Sequence, residues 1–246
     1  MRLNKFLAHA GVASRRQSDH LIKRATTLVN GELILDPAHS VSENDEIIYE
    51  GKKLSISKES RIIVFHKPLQ VVTTMNDPQG RKTISDYIYF RERIFPIGRL
   101  DRLTSGLLLL TNDGELSHKL LHPKFRIPRI YEAEIEGRLD EKTVNKISRG
   151  IFIGLGEFGR AVVLKQLKRK KRSIVTLKLL TGKKREIRRI FSFLNVRLFQ
   201  LTRIQFGPVL LNKLPLGMWR ELQKKELKLL KNWLKNPKNS DFSIMS

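Results

Sequence analysis

Cysteine is absent from the 246 residues. That excludes disulfides, cysteine-ligated zinc or iron–sulfur centres, and a thiol nucleophile. Acidic residues are scarce: 24 Asp and Glu stand against 48 Lys and Arg, a formal charge of +24. No run of about 18 apolar residues occurs, so no segment reads as a membrane span. Met1 to Gly11 hold no apolar run of signal-peptide length, and the cytosol is the expected location. No glycine-rich loop fits a nucleotide-phosphate pattern, and no G-x-S-x-G elbow is present. What is present is a globular composition, 40% hydrophobic and 29% charged, long enough for one or two domains. The cations recur along the whole chain instead of on one amphipathic helix. A polyanionic partner is expected, and nucleic acid fits that spread better than a membrane surface.

Residues 1–50 read as a small module. Leu3, Phe6, Leu7 and Ala10 repeat at helical spacing, and Gly11 follows as a stop. Ser14 and Gln17 fit a capping box, which starts a second helix at Arg15 and carries it to about Ala25. Asn30-Gly31 lies between two apolar triplets, a hairpin signal, and Glu46–Tyr49 reads as a further strand. Residues 51–60 are polar and read as a linker. The division expected is residues 1–55, a larger domain over 61–235, and a flexible tail over 236–246. In the larger domain Ile62–Phe65, Ile130–Glu136 and Ile174–Leu180 read as strands. Residues 139–149, 184–194 and 223–234 read as helices, the last burying Leu227, Leu230 and Trp233 or Leu234. The basic run Lys165–Arg172 fits either a solvated turn between strands or a direct RNA contact.

Few residues offer chemistry. His118 and His122 are four apart, but no third ligand stands at a recognisable spacing, and no metal is expected. In Pro96–Gly106 a loop with two glycines feeds the apolar run Leu107–Leu110, and Asp101 sits between Arg99 and Arg102. A carboxylate facing RNA repels phosphate, so it either performs a task as nucleophile or base, or ties the loop to a neighbouring arginine. In Thr181–Phe191 a glycine precedes a helix with Lys and Arg in its first turns. That is either an anion-binding arrangement or a solvated basic face.

Taken together these segments resemble a known family. Gly98-Arg99-Leu100-Asp101 with Thr104-Ser105-Gly106 resembles the catalytic-loop signature of pseudouridine synthases of the ribosomal small-subunit type, a family that also holds large-subunit enzymes. His66-Lys67-Pro68, Leu109–Gly114, His122-Pro123, Arg129-Ile130-Tyr131, Lys183–Phe191, Phe206-Gly207-Pro208 and Leu214–Arg220 match further elements in order. His66, Thr181 and Glu186 depart from the pattern, which often has Asn, Glu and Gln there. Arg2–Leu7, Ala13–Arg16 and Val29–Gly31 resemble the S4 RNA-binding domain.

The resemblance implies an α+β protein: a small S4 domain of helix-turn-helix plus hairpin, then a catalytic domain around a mixed, mostly antiparallel sheet. It implies a reaction without cofactor or metal, in which a uridine of ribosomal RNA is flipped out and its glycosidic bond is remade through carbon. Asp101 matches the catalytic aspartate, Arg188 its arginine partner, Tyr131 the tyrosine against the flipped base, and Arg99 the arginine that assists extrusion. Arg15, Arg16, Lys5, Lys67, Arg129, Lys183, Arg185 and Arg189 are the expected RNA contacts. The Leu214–Arg220 segment is most similar to large-subunit members. Small-subunit RNA, or a non-catalytic RNA-binding assembly factor, are the alternatives. A monomer acting on a structured stem-loop or assembly intermediate is expected.

Overall fold

The computed structural model describes residues 1–56, 59–90 and 92–235. Leu3, Phe6 and Leu7 fall on one face of α1 (Leu3–His9), where they are buried. The Ser14 side chain accepts from Gln17 N and Gln17 reaches back to Ser14 N, the reciprocal cap that starts α2 (Arg15–Lys23). α2 ends two residues before the expected Ala25, which takes a positive φ. Strands β1 (Thr27–Val29), β2 (Glu32–Leu33), β3 (Ile47–Tyr49) and β4 (Lys52–Lys53) form a sheet in the order β2-β1-β3-β4. The stretch read as a linker is therefore in part strand. Glu50-Gly51 turns β3 into β4, and Leu54 and Ile56 pack on the core of Leu3, Leu7, Ile22 and Ile47. Ser57 and Lys58 of that stretch lie outside the described residues. Truncating the fully buried Leu7 to Ala should cost about 2–5 kcal/mol. This unit comprises Met1–Arg61 together with Phe90–Ile94 and Asn112–Gly114. Within it Arg61 pairs with Glu92 at 2.6 Å.

The second unit holds β5 (Ile62–Lys67), β6 (Phe95–Ile97), β7 (Ser105–Thr111), α3 (Gly114–Leu121), β8 (Arg129–Glu136), α4 (Glu141–Arg149), β9 (Ile151–Phe152), β10 (Phe158–Gly159), β11 (Val162–Arg169), β12 (Arg172–Leu179), α5 (Glu186–Phe193), β13 (Leu198–Phe206), β14 (Val209–Leu210), β15 (Trp219–Glu221) and α6 (Lys224–Lys235). Among the described residues the main sheet has nine strands, in the order β11-β12-β8-β13-β7-β5-β15, with β14 on β13 and β6 on β7. Every pairing is antiparallel except β7 with β13. The run Ser105–Thr111 is buried at every position, as a central strand covered on both faces requires. β11 is the exposed edge, and the basic run forms the β11–β12 hairpin, where charge discourages edge pairing. Leu230 and Trp233 bury α6 against Phe125 and Phe206, and Trp233 Nε1 donates to Phe125 O at 2.9 Å. The expected tail, 236–246, lies outside the described residues.

The His118 and His122 rings are 5.7 Å apart, but His122 Nδ1 accepts from Lys124 N. Among the described residues no group of three or more His, Asp or Glu side chains could hold a metal ion, and no helix is long and apolar enough to cross a membrane.

Candidate active site

The site is built at the point where chain leaves β6, crosses the Gly98–Thr104 loop and enters β7. Gly106 sets the approach of β7 to β13. Its φ is +109°, and a Cβ there would stand 2.2 Å from Arg203 O and 2.5 Å from Arg203 N. Any side chain would force the parallel pair apart. Ser105 Oγ and Thr202 Oγ1 share a hydrogen bond of 2.9 Å across the same junction.

Asp101 is half-buried in this loop, and its carbonyl accepts from Thr104 N at 2.9 Å. Arg99 and Arg102 are both exposed, and Asp101 forms an ion pair with neither. The loop is held instead by groups distant in sequence. Thr73 Oγ1 donates to Leu100 O at 2.7 Å, and Gln70 N donates to Arg102 O at 2.7 Å. Arg188 Nη2 donates to Leu103 O and, at 3.1 Å, to Thr104 Oγ1. Arg188 thus grips the loop itself; the direct ion pair with Asp101 expected from the resemblance is not formed. The carboxylate still acts on it electrostatically: burial and Arg185 lower the Arg188 pKa, and Asp101 opposes them.

Lys67, expected to touch RNA, is fully buried instead. Its Nζ donates to Pro68 O at 2.7 Å and Val71 O at 2.8 Å. Burial lowers its pKa to about 8, against the attraction of Asp101. Asp101 therefore sits in the field of two cations, neither of which engages it in a closed ion pair.

Tyr131 lies on β8, buried, with Leu177 and Arg203 as its cross-strand partners. Through Arg203 it is two strands from Gly106, roughly 10 Å at the usual strand spacing. Arg203 carried no sequence signal. It is buried beside Tyr131, and its Nε donates to Leu107 O at 2.6 Å. Arg129, two residues before Tyr131, donates from Nη1 to Thr181 O at 2.6 Å, and burial lowers its pKa.

The loop before α5 is organised by Glu186, a buried carboxylate. It accepts from Thr181 Oγ1 at 2.8 Å, from Lys183 N at 3.1 Å and from Arg160 N at 3.2 Å. Thr181 and Glu186, two of the positions that depart from the family pattern, thus touch each other. Arg185 is exposed with φ +54°, and Lys183 Nζ donates to Phe158 O. Arg189 turns away from the catalytic loop: it donates to Ile153 O at 2.7 Å and Gly154 O at 2.6 Å and pairs with Glu157. In the small unit Arg15 and Arg16 are exposed on α2, and Lys5 is half-buried on α1.

A half-buried carboxylate on a loop braced by Arg188, in the field of Lys67 and Arg188, is suited to a reaction on a neutral sugar or base brought in by RNA. Comparisons with known proteins agree. Residues 61–193 match the RNA pseudouridylate synthase family, and residues 1–47 match the S4 domain. The chain is 38% identical over 242 residues to ribosomal large subunit pseudouridine synthase B of Bacillus subtilis, covering 97% of this chain and 99% of that protein. It is 37% identical over 230 residues to an uncharacterized RNA pseudouridine synthase of Aquifex aeolicus, covering 92% of each. A crystal structure of a pseudouridylate synthase superposes with a TM-score of 0.66 at 27% identity, over 94% of this chain and 99% of that one. The small sheet with two helices and the mixed, mostly antiparallel large sheet are the fold expected of an S4 domain and a pseudouridine synthase. The chain belongs to the RNA pseudouridylate synthase family, carries an S4 domain, and is an isomerase that converts uridine in RNA to pseudouridine.

Proposed function

We propose that this enzyme modifies a uridine of large-subunit ribosomal RNA in the cytoplasm, as a monomer, with Asp101 as the group that acts on the ribose. The observation that carries the reading is the setting of Asp101: a carboxylate with no ion pair among the described residues, on a loop fastened by Thr73, Gln70 and Arg188, in the field of Lys67 and Arg188. A carboxylate already closed into an ion pair would have to break it before reacting; this one does not. The large-subunit substrate is supported by the names of the relatives from Bacillus subtilis and Yersinia pestis.

In this reading residues 1–55 and 61–235 divide the work. The first binds RNA through Lys5, Arg15 and Arg16; the second performs the isomerisation. Extruding the nucleotide costs a few kcal/mol. Tyr131 offsets that by packing against the flipped base, a contact worth about 1–3 kcal/mol. Arg99, exposed at the edge of the loop, occupies or lines the gap left in the RNA. Arg188 keeps the loop geometry and the local charge.

Pseudouridine mapping in ribosomal RNA from cells with and without the gene tests this. Isomerisation leaves mass unchanged, so a pseudouridine-specific chemical adduct is required. Loss of one or more sites confined to large-subunit RNA, restored by the wild-type gene and not by Asp101→Asn, is the expected result. Loss confined to small-subunit RNA, or rescue by Asp101→Asn, contradicts it.

A further inference from the structure

The hairpin of β9 and β10 carries an exposed aromatic cluster that the isomerisation does not use. Phe152, Phe158 and Phe193 are 46%, 62% and 51% exposed, and Leu155 at the hairpin tip is 90% exposed. The ring of Phe152 meets that of Phe158 at 5.7 Å and that of Phe193 at 5.8 Å, both edge to face. Three large rings held together and open to water are unusual on a charged surface, and such patches mark binding sites.

The cluster is fixed in place before any ligand arrives. Gly154, with φ +81°, brings bare backbone under Phe193: a Cβ there would stand 3.2 Å from Phe193 Cζ. Arg189 ties the hairpin to α5 through Ile153 O, Gly154 O and Glu157. Rings that are already ordered lose little entropy on binding.

The charge around the rings selects the partner. Lys183 Nζ sits on Phe158 O at 2.6 Å, Arg160 is exposed at the same hairpin, and Lys184 is exposed beside Lys183. The acidic group at this hairpin, Glu157, is neutralised by Arg189, which lowers its pKa. Aromatic faces rimmed by cations match unpaired nucleotides, whose bases stack and whose phosphates need neutralising. The cluster lies outside the catalytic loop: Phe193 is five residues beyond Arg188 on α5, about 140° round the helix from it, on the side where Arg189 holds the hairpin. Arg129, on the strand of Tyr131, bonds Thr181 O, two residues from the Lys183 that bonds Phe158 O.

We propose that the Phe152–Phe158–Phe193 cluster is a stacking platform for an unpaired base of the substrate RNA. The proposal rests on the RNA-substrate reading above and adds a second aromatic contact outside the catalytic pocket. Phe158 is the residue to vary, because its ring is the most exposed of the three and its loss leaves no cavity.

Binding of fluorescein-labelled oligoadenylate of about twelve nucleotides, which has no uridine to convert, is compared with binding of an RNA duplex of equal length. Phe158→Ala and Phe158→Leu should each weaken oligoadenylate about tenfold and duplex less than about twofold, while Phe158→Trp keeps wild-type affinity. The leucine variant separates stacking from simple apolar contact. Phe193→Ala should repeat the loss. Wild-type affinity in Phe158→Ala, or in Phe158→Leu, overturns the platform. So does a concentration-dependent dimer of the wild-type protein in sedimentation that Phe158→Ala dissolves, since the patch would then belong to a second copy. Failure of the wild-type protein to bind oligoadenylate also overturns the platform, whereas failure to bind a large-subunit ribosomal RNA transcript would overturn the RNA-substrate reading itself.

Discussion

Two short helices of this protein carry adjacent arginines near their starts. On α2 they are Arg15 and Arg16, both exposed, with no acidic residue in the first turn. On α5 they are Arg188 and Arg189, both half-buried and both committed to carbonyls of other segments. The flanking residues make the difference. α5 buries Ile187, Ile190 and Phe191, which draws the helix against the sheet and brings loop carbonyls within reach. α2 buries little besides Ser18 and Ile22, so its arginines stay in water. Cations in a first turn also oppose the helix dipole, by about 0.3–1 kcal/mol each. Arg15 and Arg16 therefore oppose the dipole of their own helix, and an anion bound there would relieve that cost. Exposed cations give affinity that salt screens; half-buried cations give geometry that salt hardly touches.

Substitutions can break that contrast, and the largest effect belongs to neither helix. Asp101→Asn keeps the shape of the side chain and removes its charge. Turnover should fall more than about a hundredfold, with RNA affinity equal or tighter because a repulsive charge is gone. Next comes Arg188→Ala. It releases Leu103 O and Thr104 Oγ1 and should lower turnover about tenfold to a hundredfold, with little change in the salt dependence of binding. A steep change in that dependence would place Arg188 on the phosphates instead.

Arg189→Ala, one residue on, should behave differently from its neighbour. It removes hydrogen bonds to Ile153 O and Gly154 O and the Glu157 pair, so urea denaturation should show a loss of about 2 kcal/mol. Turnover at saturating RNA should fall far less than in Arg188→Ala. Replacing Arg15 and Arg16 together by Ala should leave stability unchanged or slightly raised. The slope of log affinity against log salt should drop by about one to two units, because each phosphate contact contributes about 0.7–0.9.

The local parts of this arrangement were legible in the chain. The Ser14–Gln17 cap needs only residues three apart, the apolar run Leu107–Leu110 marks a covered strand, and Ile187, Ile190 and Phe191 mark the buried stripe of α5. β4 was missed because two lysines show no alternation, and their strand exists only through pairing with β3. The braces of the catalytic loop were missed for a different reason. Thr73 meets Leu100 across 27 residues and Arg188 meets Thr104 across 84, contacts that only the sheet topology creates. The resemblance located Arg188 but suggested a bond to Asp101; the structure sends it to the loop. Arg203 is one isolated cation in a strand, and nothing beside it in sequence indicates that it neighbours Tyr131.

Lys67 adds a pH dependence to the stability of the larger unit. Its pKa is lowered from 10.5 to about 8 in the folded protein. Between these values the unfolded chain holds the proton and the native protein has released it, so stability rises with pH across that window. The unfolding free energy of wild type minus that of Lys67→Met should therefore increase from pH 8 to pH 10.5. A flat difference would mean that Lys67 keeps an ordinary pKa and that burial does not oppose its charge.

Chemistry at the carboxylate of Asp101 and affinity from the arginines of α2 are separable by single-turnover kinetics. Pseudouridine formation is followed on one ribosomal RNA transcript with enzyme in excess, at low and at saturating enzyme concentration. The variant with Arg15 and Arg16 replaced by Ala should be slow at low enzyme and reach the wild-type rate at saturation. Asp101→Asn should stay below about a hundredth of the wild-type rate at both. A saturating rate for Asp101→Asn close to wild type would contradict the account.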